Sequence, residues 1–231
     1  GSWERINPSF SLRRKLGSKH SLGAAASYFF SNNNYSFRLR NGNTSSTERR
    51  HNSRHQSAVG ELNWAFRPDS LRGVRTKVYF SDTHSRLPGP VVLYNSENKE
   101  QLGETLLFAQ SRFDYTGKTV HAFAALKGQR QEHHYTNPDP QYPEGALTRK
   151  YRQSEAYATG GMSYKMLPSL SVAYAVDYFY NHLATNLTAA DNASRHTLLQ
   201  AASVRYQHPK LTLTARLTAH HAWNKAPKHA N

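Results

Sequence analysis

The chain has 231 residues, no cysteine and a formal net charge of +15, from 30 Lys and Arg against 15 Asp and Glu. Without cysteine there is no disulfide scaffold and no zinc site built on thiolates. No apolar run approaches the ~20 residues of a membrane helix, and mean hydropathy is −0.77. A positive charge of this size points first to nucleic acid. Here the basic residues are spread along the whole chain and gather on no helical face, so nucleic acid is not the expected partner. The start, Gly1-Ser2-Trp3-Glu4, has neither the basic region nor the apolar core of a secretory signal, so the expectation is a processed or internal segment.

In chain order the dominant period is two. Ten alternating segments are predicted as strands: roughly 8–16, 20–30, 54–66, 74–85, 104–115, 119–131, 151–165, 170–181, 196–206 and 211–223. In 74–81, for example, Val74, Thr76, Val78 and Phe80 alternate with Arg75, Lys77 and Tyr79. Successive side chains of a strand point to opposite faces, so each segment has a greasy side and a wet side. Leu62, Val78, Ala124, Met162, Val172 and Leu213 are expected on the greasy side. Glu61, Lys77, Gln110, Arg112, Glu155, Asp177 and Arg216 are expected on the wet one. Most segments exceed the ~5–6 residues common in soluble sheets and match the ~9–11 of a tilted bilayer-crossing strand.

The connections alternate in length. Tight ones fall at Gly17-Ser18-Lys19, 67–73, Thr116-Gly117-Lys118, Leu167-Pro168-Ser169 and 207–210. Long ones, rich in Asn, Ser, Pro and charge, fall at 31–53, 86–103, 132–150 and 182–195. Aromatic residues flank the apolar stretches: Phe66, Phe113, Tyr115, Tyr164 and Tyr206 near the tight turns, and Tyr28, Phe30, Phe80, Tyr178, Tyr180 and Trp223 near the long loops. Short turns at one end, long loops at the other and two aromatic girdles are the pattern of an antiparallel transmembrane β-barrel in an outer membrane. The expected fold class is therefore all-β: part of such a barrel, with short periplasmic turns, long extracellular loops and a wet lumen lined by the residues named above.

No catalytic motif emerges. There is no phosphate-cradling glycine loop, no Gly-x-Ser-x-Gly and no zincin helix. Glu61, Glu155 and Asp177 lie on separate strands and read as lumen lining rather than an acid–base pair. Adjacent histidines, His133-His134 and His220-His221, point opposite ways on a strand and cannot easily share an ion; His51 and His55 have a spacing that keeps one face of a strand. No cofactor and no metal site is expected. Arg49, Arg50 and Arg54, with His51 and His55, form a basic cluster suited to an anionic small molecule, such as a carboxylate-bearing siderophore, or to lipopolysaccharide phosphates. The apolar stretch Leu87-Pro88-Gly89-Pro90-Val91-Val92-Leu93-Tyr94 is expected to fold towards the mouth and line a ligand site with Tyr35, Phe37 and Tyr142.

Asn34-Tyr35-Ser36-Phe37, the loop ending Glu48-Arg49-Arg50-His51-Asn52-Ser53, and Ser85-Arg86-Leu87-Pro88-Gly89-Pro90-Val91 before Leu93-Tyr94-Asn95 give an order that resembles the barrel of TonB-dependent outer-membrane receptors of Bacteroidetes-type bacteria. That resemblance implies a 22-stranded barrel around an N-terminal plug. It also implies active uptake of a scarce nutrient of the ferric siderophore, haem or cobalamin class, driven by the TonB complex through the plug. Residues 1–231 would then be part of the barrel domain, with the plug and further strands encoded elsewhere. Two other functions fit the residues: a passive porin-like barrel, and a basic polyanion-binding β protein.

Overall fold

The computed structural model describes residues 4–88, 98–139, 141–187 and 193–225. Among these, thirteen strands form and no helix. They are β1 (Arg5–Ile6), β2 (Ser9–Leu16), β3 (His20–Ser31), β4 (Ser36–Asn41), β5 (Thr44–Arg49), β6 (His55–Phe66), β7 (Arg72–Arg86), β8 (Gln101–Thr116), β9 (Val120–Asn137), β10 (Leu147–Leu167), β11 (Leu170–Thr185), β12 (Ala193–His208) and β13 (Leu211–Lys225). β4 and β5 pair only with each other; the other eleven make one antiparallel sheet in the order β1-β3-β6-β7-β8-β9-β10-β11-β12-β13, with β2 beside β3. The path is open, because no pairing joins β13 to β1 or β2 among the described residues.

All ten predicted segments are strands, but several run further into the loops than the apolar pattern reaches. β9 continues to Asn137 and β10 starts at Leu147, inside the connection expected at 132–150. The connection expected at 31–53 contains the β4–β5 hairpin. A ladder is closed by backbone groups, which polar side chains satisfy as well as apolar ones once both faces are wet. Loss of apolar alternation therefore marks the edge of the greasy surface, not the end of the strand.

The tight turns are stitched by local bonds. Asp69 Oδ1 accepts from the N–H groups of both Leu71 and Arg72 at 2.8 Å. Gly17 sits at φ +67°, the left-handed conformation that favours glycine. The first two tight turns lie level, but the later ones leave their register row. A row starting at His20, beside the first turn, runs through Phe66, Val74, Phe113, Ala124, Gly160 and Val176 to Gln200 on β12. That residue is eight positions short of His208, where the last turn begins (208 − 200). The turns thus slip by about one residue per strand across the sheet.

Registers place Leu62, Val78, Ala124, Met162, Val172 and Leu213 on one face and Glu61, Lys77, Gln110, Arg112, Glu155, Asp177 and Arg216 on the other. A soluble domain of this size would bury the first set in a core. Here no apolar side chain is buried among the described residues; Ser31, 2% exposed, is the one buried residue. Leu217 is 74% exposed, Leu126 65% and Phe10 62%, and all three stand on the apolar face.

Candidate functional site

The polar face is cross-linked by charge. Lys77 Nζ lies 2.7 Å from Glu61 Oε2, and Lys127 Nζ 3.1 Å from Glu155 Oε1. Asp114 receives Arg112 Nε at 2.7 Å and Arg75 Nη2 at 3.0 Å. The Tyr157 hydroxyl donates to Asp177 Oδ1 at 2.6 Å. Gln110 stands in register between Lys77 and Lys127. Aromatic rings are interleaved with these pairs: Tyr79 stacks on Phe108 at 5.3 Å, and Tyr157 meets Phe179 at 4.5 Å. The Arg112 guanidinium lies 4.6 Å from the centre of the Phe123 ring, a cation–π contact. Each carboxylate of the set Glu61, Glu155 and Asp177 has its own partner and none faces another carboxylate, so the arrangement is not that of an acid–base pair.

A second group of predicted residues meets at the long-loop end. In the β4–β5 hairpin Phe37 pairs with Glu48 and Ser36 with Arg49. The Arg50 N–H donates to the Tyr35 carbonyl at 2.8 Å, and the Tyr35 and Phe37 rings meet edge-on at 6.2 Å. The β4–β5 segment therefore carries Tyr35, Phe37, Arg49 and Arg50, but Arg49 shares the face of Ser36, opposite to that of Phe37. Two asparagines in the left-handed region hold the hairpin's feet: Asn33 at φ 49° and Asn52 at φ 54°. The Asn33 amide donates to the Ser53 carbonyl at 3.2 Å. The Asn52 amide donates to the carbonyls of Leu87 and Glu100, both at 2.9 Å. Leu87 is thereby tied to the hairpin's base.

The expected cluster is nonetheless split. Arg54 and His55 are neighbours at the start of a strand and point to opposite faces. The Arg54 guanidinium lies over Phe30 at 5.6 Å, on the apolar side, while His55 Nδ1 meets Ser85 Oγ at 2.9 Å on the polar side. His51 precedes the left-handed Asn52 and lies outside β6, so the four-residue spacing does not put His51 and His55 on one strand face. Tyr142 belongs to the β9–β10 connection, where its N–H bonds to Asp139 and its carbonyl accepts from Gly145. Of the apolar stretch expected at 87–94, residues 89–94, Tyr94 among them, lie outside the described residues.

Two features escaped the sequence reading. Asn33 and Asn52 carried a weak signal, since asparagine is the non-glycine residue that best tolerates the left-handed region. Arg130, Glu132 and Arg152 carried a stronger one: they continue the parity of Leu126 and Ala156, and so stand on the apolar face beyond its last greasy rows. Glu132 Oε1 accepts from Arg130 Nη2 at 2.6 Å and from Arg152 Nε at 2.8 Å.

No protein-family model matches this chain, and no curated protein matches it.

Proposed function

We propose that the chain is part of the membrane-spanning barrel of a TonB-dependent outer-membrane receptor, serving active uptake of a scarce nutrient of the ferric siderophore, haem or cobalamin class. The observation that carries the membrane part is the slip of the turns along an apolar face that has no internal partner. Eight residues of slip over seven strand spacings is about 26 Å against about 34 Å. If the turns share one level at a membrane surface, the strands tilt by about 38°, within the ~35–45° of outer-membrane barrels. On that tilt the apolar face from Tyr206 to His196 on β12 rises about 26 Å, close to the ~25 Å apolar band of such barrels; on β7, from Val74 to Phe80, it is narrower, about 16 Å. The charged pairs Glu61–Lys77, Glu155–Lys127 and Asp114–Arg112 on the other face, at the level of the apolar rows, fit a water-filled or plugged lumen. The receptor reading rests on the resemblance at 34–53 and 85–95; on that reading the hairpin that carries Phe37 and Arg49 would stand at the barrel's mouth.

Two measurements test the two halves. Single cysteines at Leu62, Val78 and Leu213 should resist a water-soluble thiol reagent in outer membranes, while those at Glu61, Lys77 and Arg216 should react. Equal labelling removes the membrane reading. In cells carrying the complete gene, accumulation of a ferric chelate should stop when an uncoupler collapses the proton gradient. Accumulation indifferent to the uncoupler would instead make the barrel a passive porin.

A further inference from the structure

Above the apolar rows the outward face changes character. Phe80, Leu107 and Arg130 are register neighbours, so Arg130 stands at the rim of the greasy surface. One row further towards the loops Glu132 pairs with Thr105 and Arg152. The two guanidiniums share one oxygen of one carboxylate, which holds them side by side with their side chains 55% and 54% exposed. Arg130 spends Nε and Nη2 on that oxygen and Arg152 spends Nε. A guanidinium has five N–H donors, so the bonds to Glu132 leave most of the pair's donors for a ligand. Two hollows of about 400 and 410 Å³ flank the pair, one bordered by Arg54 and Arg86, the other by Lys150. The patch thus sets five cations, Arg54, Arg86, Arg130, Lys150 and Arg152, against three carboxylates: Glu132, Asp82 beside Thr105, and Glu4, which the Asn32 side chain links to Arg54.

We propose that this patch binds the phosphate groups of phosphorylated lipid headgroups lying against the barrel, with the Arg130–Arg152 pair as the central fork. The proposal rests on the membrane reading above. The physical reasons are position and chemistry. A headgroup sits where the greasy rows end, and a planar guanidinium matches phosphate oxygens two at a time. Glu132 biases the two guanidiniums towards this side-by-side geometry, which lowers the side-chain freedom to be lost on binding. A loose set of solvated surface arginines would not share one carboxylate oxygen. The polar face cannot host such a lipid, because an acyl chain there would have to lie against Glu61, Lys77, Lys127 and Glu155.

The test uses the whole chain, folded into non-ionic detergent micelles, and titrates three probes: lipid A with both phosphates, the same lipid with its phosphates removed, and inorganic phosphate. Bound lipid is counted by native mass spectrometry. Phosphorylated lipid A should bind at least tenfold more tightly than the phosphate-free form. The double variant Arg130→Gln/Arg152→Gln should lose most of that preference. The control Arg14→Gln/Arg72→Gln, which removes two charges at the tight-turn end of the same face, should change affinity less than twofold. Equal binding of both lipids, or equal loss in both double variants, overturns the proposal. Displacement of lipid A by millimolar inorganic phosphate would make the patch a free-anion site and also overturns it. The thiol-labelling pattern separates the two failures: if labelling follows the faces and the fork variant binds normally, the headgroup site alone is lost. If the chain stays in solution without detergent and binds no lipid, the membrane reading falls and the headgroup proposal falls with it.

Discussion

The two faces of the sheet are built from the same strands yet solve opposite problems. The polar face satisfies itself: Glu61 has Lys77, Glu155 has Lys127, Asp114 has Arg75 and Arg112, and Asp177 has the Tyr157 hydroxyl. The apolar face has no such closure, and Leu62, Leu126, Met162, Leu213 and Leu217 lie exposed on it. Water can solvate an ion pair at little cost, but a continuous apolar surface of this extent demands something apolar against it. The contrast teaches that the polar face is satisfied from within the sheet while the apolar face is not satisfied among the described residues; the partner proposed above for it is lipid.

Substitutions that exchange the characters of the faces test this most sharply. Leu62→Arg should cost about 2–4 kcal/mol when the chain is unfolded by urea from phospholipid vesicles, the range for a basic residue near the middle of a lipid-facing strand. Gln110→Arg, on the other face, should stay within about 0.5 kcal/mol. Equal costs would erase the distinction between the faces.

A smaller effect is expected at the loop end. Asn52→Ala removes two side-chain hydrogen bonds and strains the left-handed backbone, which together should loosen the hairpin's base by about 1–3 kcal/mol. Asn52→Gly keeps the backbone conformation and loses only the bonds, so it should fall between wild type and Asn52→Ala. Amide hydrogen exchange across β4 and β5 reads both, and unchanged exchange in both variants would show that Asn52 does not hold the hairpin.

The smallest effect belongs to the polar face. A double-mutant cycle on Glu61→Gln and Lys77→Met should give a coupling of about 1 kcal/mol or less, falling in high salt, because both side chains remain partly exposed. A coupling of several kcal/mol, insensitive to salt, would mean that this face is shut away from water.

Much of this was legible in the sequence because alternation encodes face, and face survives small errors in strand ends. Val78 and Lys77 could be assigned from their neighbours alone, and registers across nine pairings agree with that parity. The β4–β5 hairpin was not legible. Ser36, Arg38 and Arg40 alternate with Phe37, Leu39 and Asn41, and the facing strand Thr44–Arg49 has no apolar side chain at all, so the hydrophobic period carries no information there. The basic cluster misled for a related reason. Nearness in sequence was taken as nearness in space, whereas one residue of separation on a strand sends Arg54 and His55 to opposite faces. Glu132, the residue that joins Arg130 to Arg152, was hidden by placing a loop at 132–150, which ended the parity one residue before it became informative.

The order of strands in the sheet has its own consequence for how the chain assembles. Almost every neighbour in the sheet is also the next strand along the chain; the exceptions are β3 and β6, which are separated by the hairpin β4–β5, and β1 and β3, which have β2 between them in the chain. Side-by-side neighbours are also the only elements that touch among the described residues. Such a structure behaves as a quasi-one-dimensional array, in which each strand needs only the one before it as a template. Growth can therefore proceed as a zipper, one hairpin at a time. An interruption in mid-chain, such as a proline replacing Phe123 in β9, should leave β3, β6 and β7 paired while halting everything from β10 onward.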